Sequence, residues 1–138
     1  MVVTEDCKFA LTETTLGIPP AQIAPFVAQR IGLAKARRIM LTAARFTGKE
    51  AFEMGLADFI AKDANDLKNI ESDIIKGVMN CAPGANAITK EIVLATRHLE
   101  RNEMIDFAAK GFAERMLSDE GREGIASFIE KRKPKWSK

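Results

Sequence analysis

The sequence is poor in the residues that most often build metal and disulfide sites. Its 138 residues include two cysteines, one histidine, one tryptophan and no tyrosine. Cys7 and Cys81 lie far apart and match no CxxC or metal-ligand spacing, and His98 alone gives a zinc ion too few ligands. We therefore expect no metal site, and two reduced, packed cysteines as in a cytosolic protein.

Long apolar runs are also absent. No stretch of the sequence approaches the about 20 apolar residues that a membrane helix needs, so we expect no membrane partner. Near the start of the chain, Glu5, Asp6 and Lys8 come too early to leave room for the apolar core of a signal peptide. Together with the reduced cysteines, we expect a cytoplasmic location.

Charge of one sign does not dominate. The chain has 21 Lys and Arg against 19 Asp and Glu, a net charge of +2, so composition gives no reason to expect a nucleic-acid partner. Basic residues cluster only in residues 131–135 and at Lys138. A solvated tail is the simple interpretation, and contact with a phosphate is another. A basic-tailed nucleic-acid binder is the weakest of the alternatives.

One stretch, residues 9–26, combines a carboxylate with a turn and a helix start. A short strand is predicted from Phe9 to Thr12 and ends at Glu13. Leu16-Gly17 then turns the chain, and Pro19-Pro20 leads into an apolar helix, because proline suits a first helical turn. The positive end of that helix would favour an anion near Glu13. The alternative is that Glu13 is an ordinary surface residue before a turn.

Caps and periodicity predict the elements of the first half. A helix is expected to end near Gly32, and a second one runs over residues 33–41. Thr47 and Glu50 form a capping box for a short helix that ends at Gly55. Short strands are predicted at Val2-Val3, at residues 9–12 and at residues 56–61.

From Asn65 onward the pattern is helical. Apolar residues recur at three- and four-residue steps, with a break at Pro83-Gly84. Asn102 is the predicted cap of the next helix, and Ser118 or Asp119 that of the last. Each fully buried Leu, Ile or Phe stabilises a fold by roughly 1.5–3 kcal/mol. Because the strand region is too small to cover these stripes, we expect the helices to associate with other copies of the chain.

Four segments together resemble the second half of an enoyl-CoA hydratase/isomerase (crotonase) subunit. The first is the stretch in which a strand is followed by Glu13, by Leu16-Gly17 and by proline. The others, in the same order as in the family, are residues 41–46, residues 51–56 and residues 118–132. Four such segments in register across nearly the whole chain indicate the family far better than any one of them.

The resemblance implies an α/β, crotonase-like fold. Residues 1–62 would form the end of the spiral core of strands and helices. Residues 63–138 would form a C-terminal all-helical region that packs subunits into trimers, often paired into hexamers. Intact family members are much longer, so the chain is expected to be a truncated product or a fragment whose first strand has lost its neighbours.

The resemblance also implies chemistry on an acyl-CoA thioester, in which coenzyme A is part of the substrate and no separate cofactor is needed. The family forms a thioester enolate that two backbone N–H groups stabilise. Glu13 matches the carboxylate that exchanges the α-carbon proton in hydratases, or shuttles a proton in isomerases. The second carboxylate and both N–H groups belong upstream of Met1, so the chain alone is expected to be inactive. A non-catalytic helical oligomerisation module is the alternative.

Further positions match residues that contact the substrate in the family. Phe112 and Phe128 match aromatic residues beside the adenine and pantetheine of coenzyme A, and Lys131 matches a lysine near its phosphates. Core packing is the alternative for Phe128, and a solvated tail is the alternative for Lys131. The matching positions around the Glu13 loop are Leu16, Gly17, Pro20 and Ala21.

The loop at residues 21–25 departs from the glycine-rich form common in the family. Its sequence, Ala-Gln-Ile-Ala-Pro, looks more like that of hydratases for substrates of the methylglutaconyl- or isohexenylglutaconyl-CoA type. Fatty-acid and branched-chain acid degradation both stay open, and so do hydratase and isomerase activity.

Overall fold

The computed structural model describes residues 1–137 and divides into two compact units, Met1–Asp73 and a second one that begins at Ile74. The boundary falls inside a helix. The division expected from the sequence, after residue 62, separates a spiral core from an oligomerising region. It stays a prediction, because a single chain does not show which part assembles.

Short strands are interspersed with helices up to Ala61, and the described elements after it are helices, as expected for a crotonase-like α/β fold. A 3₁₀ turn, Glu13–Leu16, separates the second strand from the first helix. In chain order the elements are β1 (Val2–Thr4), β2 (Lys8–Ala10), α1 (Ala24–Leu41), β3 (Arg45–Thr47), α2 (Gly48–Glu53), β4 (Phe59–Ala61), α3 (Ala64–Met79), α4 (Pro83–Ala95), α5 (Arg101–Met116) and α6 (Asp119–Ile129).

The strands of the first unit form two small sheets. β1 pairs in parallel with β4, with Val3 opposite Ile60. β2 pairs antiparallel with β3, with Phe9 opposite Phe46, and the two rings stack with their centroids 5.2 Å apart. Sequence analysis did not predict β3, because three residues are too few to show the alternation of a strand.

A hydrophobic cluster of ten buried residues supports the first unit. Its members are Val3, Leu11, Val27, Ala36, Ile39, Met40, Phe46, Ala51, Met54 and Ala57. Ile39, on α1, is only 2% exposed. α1 is one helix with a kink at Gly32, where a φ of 78° leaves helical geometry. The helix end predicted near Gly32 is therefore a kink between two helical segments.

Two helix starts follow the predicted capping. At α2, Thr47 Oγ1 accepts a hydrogen bond from the N–H of Glu50 at 3.3 Å, and the Thr47 N–H donates to Glu50 Oε2 at 2.7 Å. At α6, Ser118 Oγ accepts from the N–H of Gly121 at 3.1 Å. Both caps were identifiable because the partners are three residues apart in the sequence.

The start of α5 differs from the prediction. The N-cap is Glu100, whose N–H donates to the side chain of Glu103 at 3.2 Å. Asn102 lies inside the first turn, so its predicted capping role is wrong. A glutamate three residues further on supplies the reciprocal half of a capping box even where no Ser, Thr, Asp or Asn occupies the cap.

The helices of the second unit pack closely but enclose little. α5 meets α4 at Gly111, where an added Cβ would lie 2.8 Å from Ile88 Cγ1. Among the described residues from Ile74 onward, Ala95 is the one apolar side chain that is buried. Across residues 1–137, no helix has both the length and the apolar character to cross a bilayer.

Candidate active site

Glu13 begins the 3₁₀ turn and does not end a strand. β2 stops at Ala10, and the chain continues through Leu11 and Thr12 before the turn starts. The turn closes where the N–H of Gly17 donates to Thr14 O at 3.2 Å. Gly17 has a φ of 74°, in the left-handed region that glycine adopts without strain. The predicted Leu-Gly turn is present, with Glu13 inside it.

Two hydrogen bonds attach this turn to the core of the first unit. Thr14 Oγ1 donates to the carbonyl of Met40 at 3.1 Å, and the N–H of Leu11 donates to Ala44 O at 3.1 Å. Leu11 and Met40 are both buried members of the hydrophobic cluster. The backbone of Glu13 is therefore held between two points of a packed core, which suits a side chain that must keep a fixed position.

The Glu13 side chain faces a cleft of about 390 Å³. Its lining residues are Glu13, Pro19, Pro20, Ala21, Gln22 and Ile23. Glu13 Oε2 is buried and accepts no hydrogen bond from the residues that the structure describes. Such an oxygen is uncommon, because burying an unpaired polar atom costs about 1–3 kcal/mol. Its presence distinguishes Glu13 from an ordinary surface carboxylate.

The loop after Glu13 is longer than predicted. α1 begins at Ala24 with Pro25 in its first turn, so the helix start expected at Pro19-Pro20 is wrong by four residues. Residues 21–23 instead form a turn, and the N–H of Ala21 donates to Pro19 O at 2.8 Å. A proline pair suits either a helix start or a turn, and the sequence does not distinguish the two.

The four positions predicted around the Glu13 loop do not all meet. Pro20 and Ala21 line the cleft, whereas Leu16 and Gly17 do not. Leu16 is 75% exposed and does not belong to the hydrophobic cluster. Only the proline-side half of the loop therefore adjoins the carboxylate in this chain.

The predicted aromatic positions lie in the second unit. Phe112, on α5, is 67% exposed at one side of a groove of about 290 Å³ that Ile88, Ile92 and Met116 also line. Phe128, on α6, is 86% exposed. Core packing, the alternative offered for Phe128, is therefore wrong for this chain. Both rings present apolar surface that a planar or apolar ligand group would cover.

Lys131 follows α6 in an unusual backbone conformation. Its φ of 52° lies in the left-handed region, which glycine most often occupies after a helix. The turn is closed by the N–H of Lys131 on Phe128 O at 3.3 Å and by the N–H of Arg132 on Ser127 O at 3.0 Å. Lys131 is exposed, and Lys138 of the same basic cluster lies outside the described residues.

Two further residues of the basic cluster contact a carboxylate on α6. Both Arg132 and Lys135 form ion pairs with Glu123, with Arg132 Nη1 2.6 Å from Glu123 Oε1. Sequence analysis missed Glu123, because a partner nine residues away lies outside the helical i, i+4 pattern. The only signal was an acidic residue on a helix just before a basic run.

A family model described as enoyl-CoA hydratase/isomerase matches residues 1–138. The chain belongs to the enoyl-CoA hydratase/isomerase family. The identification made from the four sequence segments is thereby confirmed.

Two solved structures share the fold over nearly the whole of this chain. Pseudomonas aeruginosa AtuE is 47% identical with a TM-score of 0.96, and an enoyl-CoA hydratase/isomerase from Marinobacter aquaeolei is 39% identical with a TM-score of 0.94. Each match covers 99% of this chain, but only 53% and 52% of the other chains. The crotonase-like fold expected from the sequence is confirmed.

The matches to curated relatives also cover about half of each relative's length. A peroxisomal Delta(3,5)-Delta(2,4)-dienoyl-CoA isomerase of Arabidopsis thaliana and a carnitinyl-CoA dehydratase of Proteus mirabilis are each 30% identical to the chain. The matches cover 98% and 99% of this chain, and 49% and 54% of the relatives. The chain thus spans about half the length of the curated relatives it matches.

Three carboxylates of this family member are held in their charged form by neighbours. Hydrogen bonds from Arg132 lower the pKa of Glu123 to about 2. The amino group of Met1, and then Arg30, lower the pKa of Asp58, and the N–H of Thr47 lowers that of Glu50. None of these three carboxylates lines the Glu13 cleft.

Potential metal ligands do not cluster. Within residues 1–137, no group of three or more His, Cys, Asp or Glu side chains could hold an ion. Cys7 is half-buried and Cys81 is exposed, so the prediction that both cysteines are packed is wrong for Cys81.

Proposed function

We propose that this chain supplies the C-terminal part of an enzyme that adds water to, or isomerises, the double bond of an enoyl-CoA thioester. The observation that carries the proposal is the buried, unpartnered Oε2 of Glu13 in a cleft of a chain belonging to this family. An acyl-CoA thioester is the proposed partner, and coenzyme A enters as part of the substrate. The proposed location is the cytoplasm.

The proposed role of Glu13 is proton transfer at the α-carbon of the thioester. In hydration, the second carboxylate takes a proton from water as the water oxygen bonds to the β-carbon, and the double-bond electrons move into a thioester enolate. Glu13, protonated at the start of this step, then delivers its proton to the α-carbon. In isomerisation, Glu13 removes one proton and returns it two carbons along the acyl chain. A positioned carboxyl contributes about 10²–10⁴ in rate to such a step.

The enolate needs stabilisation that Glu13 does not provide. Backbone N–H groups aimed at a developing oxyanion are worth a few kcal/mol each, about 2.7–4 for one donor. We propose that these donors and the second carboxylate come from a segment equivalent to the other half of the relatives. Residues 1–138 by themselves should then not hydrate an enoyl-CoA.

Further positions would contact the remainder of an acyl-CoA substrate. Pro20 and Ala21 adjoin Glu13 and would contact the acyl group, as would Leu16 and Gly17 once the other half is present. Phe112 and Phe128 offer exposed rings to the adenine and pantetheine. Lys131 offers an exposed ammonium to a phosphate, a pairing favoured by charge. No nucleic-acid partner is proposed.

The experiment compares the chain with a fusion that completes it. In the fusion, residues 1–138 replace the matching part of the Marinobacter aquaeolei protein, which shares the fold at a TM-score of 0.94. Loss of the substrate's conjugated double bond is followed by absorbance with crotonyl-CoA and methylglutaconyl-CoA. We expect turnover by the fusion and none above background by residues 1–138.

Either of two results would contradict the proposal. Turnover by residues 1–138 would show that this half already contains a complete site. A folded fusion that binds substrate but neither hydrates nor isomerises either thioester would show that the Glu13 cleft is not a proton-transfer site. Circular dichroism and light scattering establish that the fusion is folded before either conclusion is drawn.

A second candidate function, a helical oligomerisation module, is favoured by the surface of the second unit. Phe112, Leu117, Phe128 and Ile129 are each more than two-thirds exposed, and exposed apolar area of this kind often marks an interface. We propose a trimer, or a hexamer of paired trimers. Light scattering on residues 1–138 should give a trimer or larger, and a soluble, cooperatively folded monomer would contradict this.

A further inference from the structure

The segment after α6 folds back and is fastened to the helix it follows. Arg132 Nη1 donates to Glu123 Oε1 at 2.6 Å, and Nη2 donates to Oε2 at 3.0 Å. This bidentate geometry is the strong form of the Arg–carboxylate pair. The Glu123 side chain is only 13% exposed, so the pair is more than a contact between solvated charges.

The same carboxylate fixes a second point of the segment. The N–H of Lys135 donates to Glu123 Oε1 at 3.1 Å, and Lys135 Nζ lies 3.8 Å from Oε2. Glu123 therefore accepts hydrogen bonds from both ends of residues 132–135. Glu123 thus holds the first part of the segment after the helix.

Hydrogen bonds from Trp136 and Ser137 hold the C-terminal end of the segment against Asn80. The indole Nε1 of Trp136 donates to the carbonyl of Asn80 at 3.3 Å, and Ser137 Oγ donates to Asn80 Oδ1 at 2.9 Å. The ring lies over Gly124, where an added Cβ would be 3.3 Å from Cη2 of Trp136. Tryptophan suits this position because its apolar ring packs while its N–H is paired.

Lys131 lies between these fastenings and α6. Its left-handed φ is unfavourable for a residue with a side chain, and such a conformation persists only where the surroundings enforce it. Phe128 precedes it by three residues, and both side chains are exposed. The segment thus holds a lysine where glycine would be more stable, three residues after an exposed aromatic side chain.

We propose that Glu123, Arg132 and Trp136 form a C-terminal clip that positions Phe128 and Lys131 as one edge for coenzyme A. The inference rests on the proposed function, because that function supplies the ligand. It goes beyond it by assigning a role to three residues that do not touch the ligand. The clip residues are positioning residues: they fix the turn after α6, and the turn directs the Lys131 ammonium.

The test uses residues 1–138, whose single tryptophan is Trp136. Its fluorescence emission reports directly whether the clip is closed. Coenzyme A is the probe, and its affinity is measured by calorimetry. The variants are Glu123→Gln, the charge-reversed pair Glu123→Arg with Arg132→Glu, Lys131→Gly, and the control Glu114→Gln, which changes an exposed carboxylate on α5.

Opening the clip should weaken coenzyme A binding without unfolding the helices. Glu123→Gln should shift Trp136 emission to the red and lower the affinity about three- to tenfold, as for loss of one charged contact, with helical circular dichroism unchanged. The charge-reversed pair should restore the two signals only in part, because an arginine at position 123 cannot accept the Lys135 N–H and a glutamate at position 132 would face Glu130. Lys131→Gly should keep the emission of the closed clip, because glycine suits the turn, and lower the affinity to a similar extent.

Each contrary outcome has a distinct meaning. If Glu123→Gln opens the clip and leaves the affinity unchanged while Lys131→Gly lowers it, the clip proposal is overturned and Lys131 keeps its proposed role. If Trp136 emission does not move in Glu123→Gln, the clip does not exist as described. If the unmodified chain binds no coenzyme A, the clip has nothing to position and the inference fails. Turnover by the fusion then decides the proposed function separately.

Discussion

The two units of the chain are stabilised in different ways. In the first, Met1–Asp73, a cluster of ten buried residues links strands and helices. In the second, three packed helices bury Ala95 and little else among their apolar side chains within the described residues. The first unit therefore has an interior of its own. The stability of the second unit depends on contacts through small residues, on helix caps and on ion pairs. Any partner that covers its exposed apolar surface would add to that stability.

The difference follows from the side chains at the contacts. In the first unit large residues such as Ile39 and Phe46 point inward. In the second the contact between α4 and α5 is made at Gly111, while Phe112 beside it is 67% exposed. Close approach through glycine brings backbones together but buries little apolar area, and area buried is the main favourable term in folding. The candidate site residues of the second unit are thus supported by less buried apolar area than Glu13 is.

The largest predicted effect is loss of the first unit's interior. Ile39→Ala should lower the free energy of unfolding by about 2–5 kcal/mol, because it leaves a cavity in a packed core. Ile129→Ala, at a side chain 72% exposed in the second unit, should change it by no more than about 0.5 kcal/mol. Urea denaturation followed by circular dichroism measures both.

The comparison of Ile39→Ala with Ile129→Ala should depend on protein concentration. If copies of the chain cover the second unit, the effect of Ile129→Ala should grow with concentration, since association then contributes to stability. An Ile39→Ala variant as stable as the unmodified chain would contradict the description of the first unit.

A smaller effect is expected at the glycine contact between helices. Gly111→Ala should destabilise the second unit by about 1–3 kcal/mol, because its Cβ would lie 2.8 Å from Ile88 Cγ1. Gly77→Ala, on α3 with no atom within 4 Å of the added Cβ, is the matched control. It should stabilise by up to about 1 kcal/mol through helix propensity, as measured by thermal unfolding. Equal effects at the two glycines would show that α4 and α5 do not approach as described.

The smallest effect concerns pH. The Arg132 hydrogen bonds lower the Glu123 pKa from 4.5 to about 2 in the folded chain. A depressed carboxyl pKa stabilises the clip above its unfolded value, and this contribution is lost as pH falls through the folded value. Trp136 emission should therefore shift to the red between pH 4.5 and pH 2. Glu123→Gln should show the shifted emission already at pH 7. A pH profile identical in the two proteins would contradict the pairing.

Sequence reasoning succeeded where the determining contact was local or where several motifs agreed. The Thr47–Glu50 cap was identifiable because both partners lie in one turn, and four ordered segments identified the family. It failed where a contact joins distant residues. Neither the bond from Thr14 to Met40 that fixes the Glu13 turn nor the Glu123–Arg132 pair has a sequence signal at short range. Exposure of Phe128 was also unpredictable, because an apolar stripe looks the same whether or not a partner covers it.

The most direct test of the account is replacement of Glu13 in the completed fusion. Glu13→Gln keeps the size of the side chain but removes the transferable proton. Glu5→Gln, at an exposed residue of the turn after β1, is the matched control. Turnover of crotonyl-CoA and methylglutaconyl-CoA is compared with binding of a saturated acyl-CoA. We predict that Glu13→Gln lowers turnover by about 100-fold or more with binding nearly intact, and that Glu5→Gln changes neither. Turnover near that of the unmodified fusion in Glu13→Gln would contradict the assignment of Glu13 as the proton-transferring group.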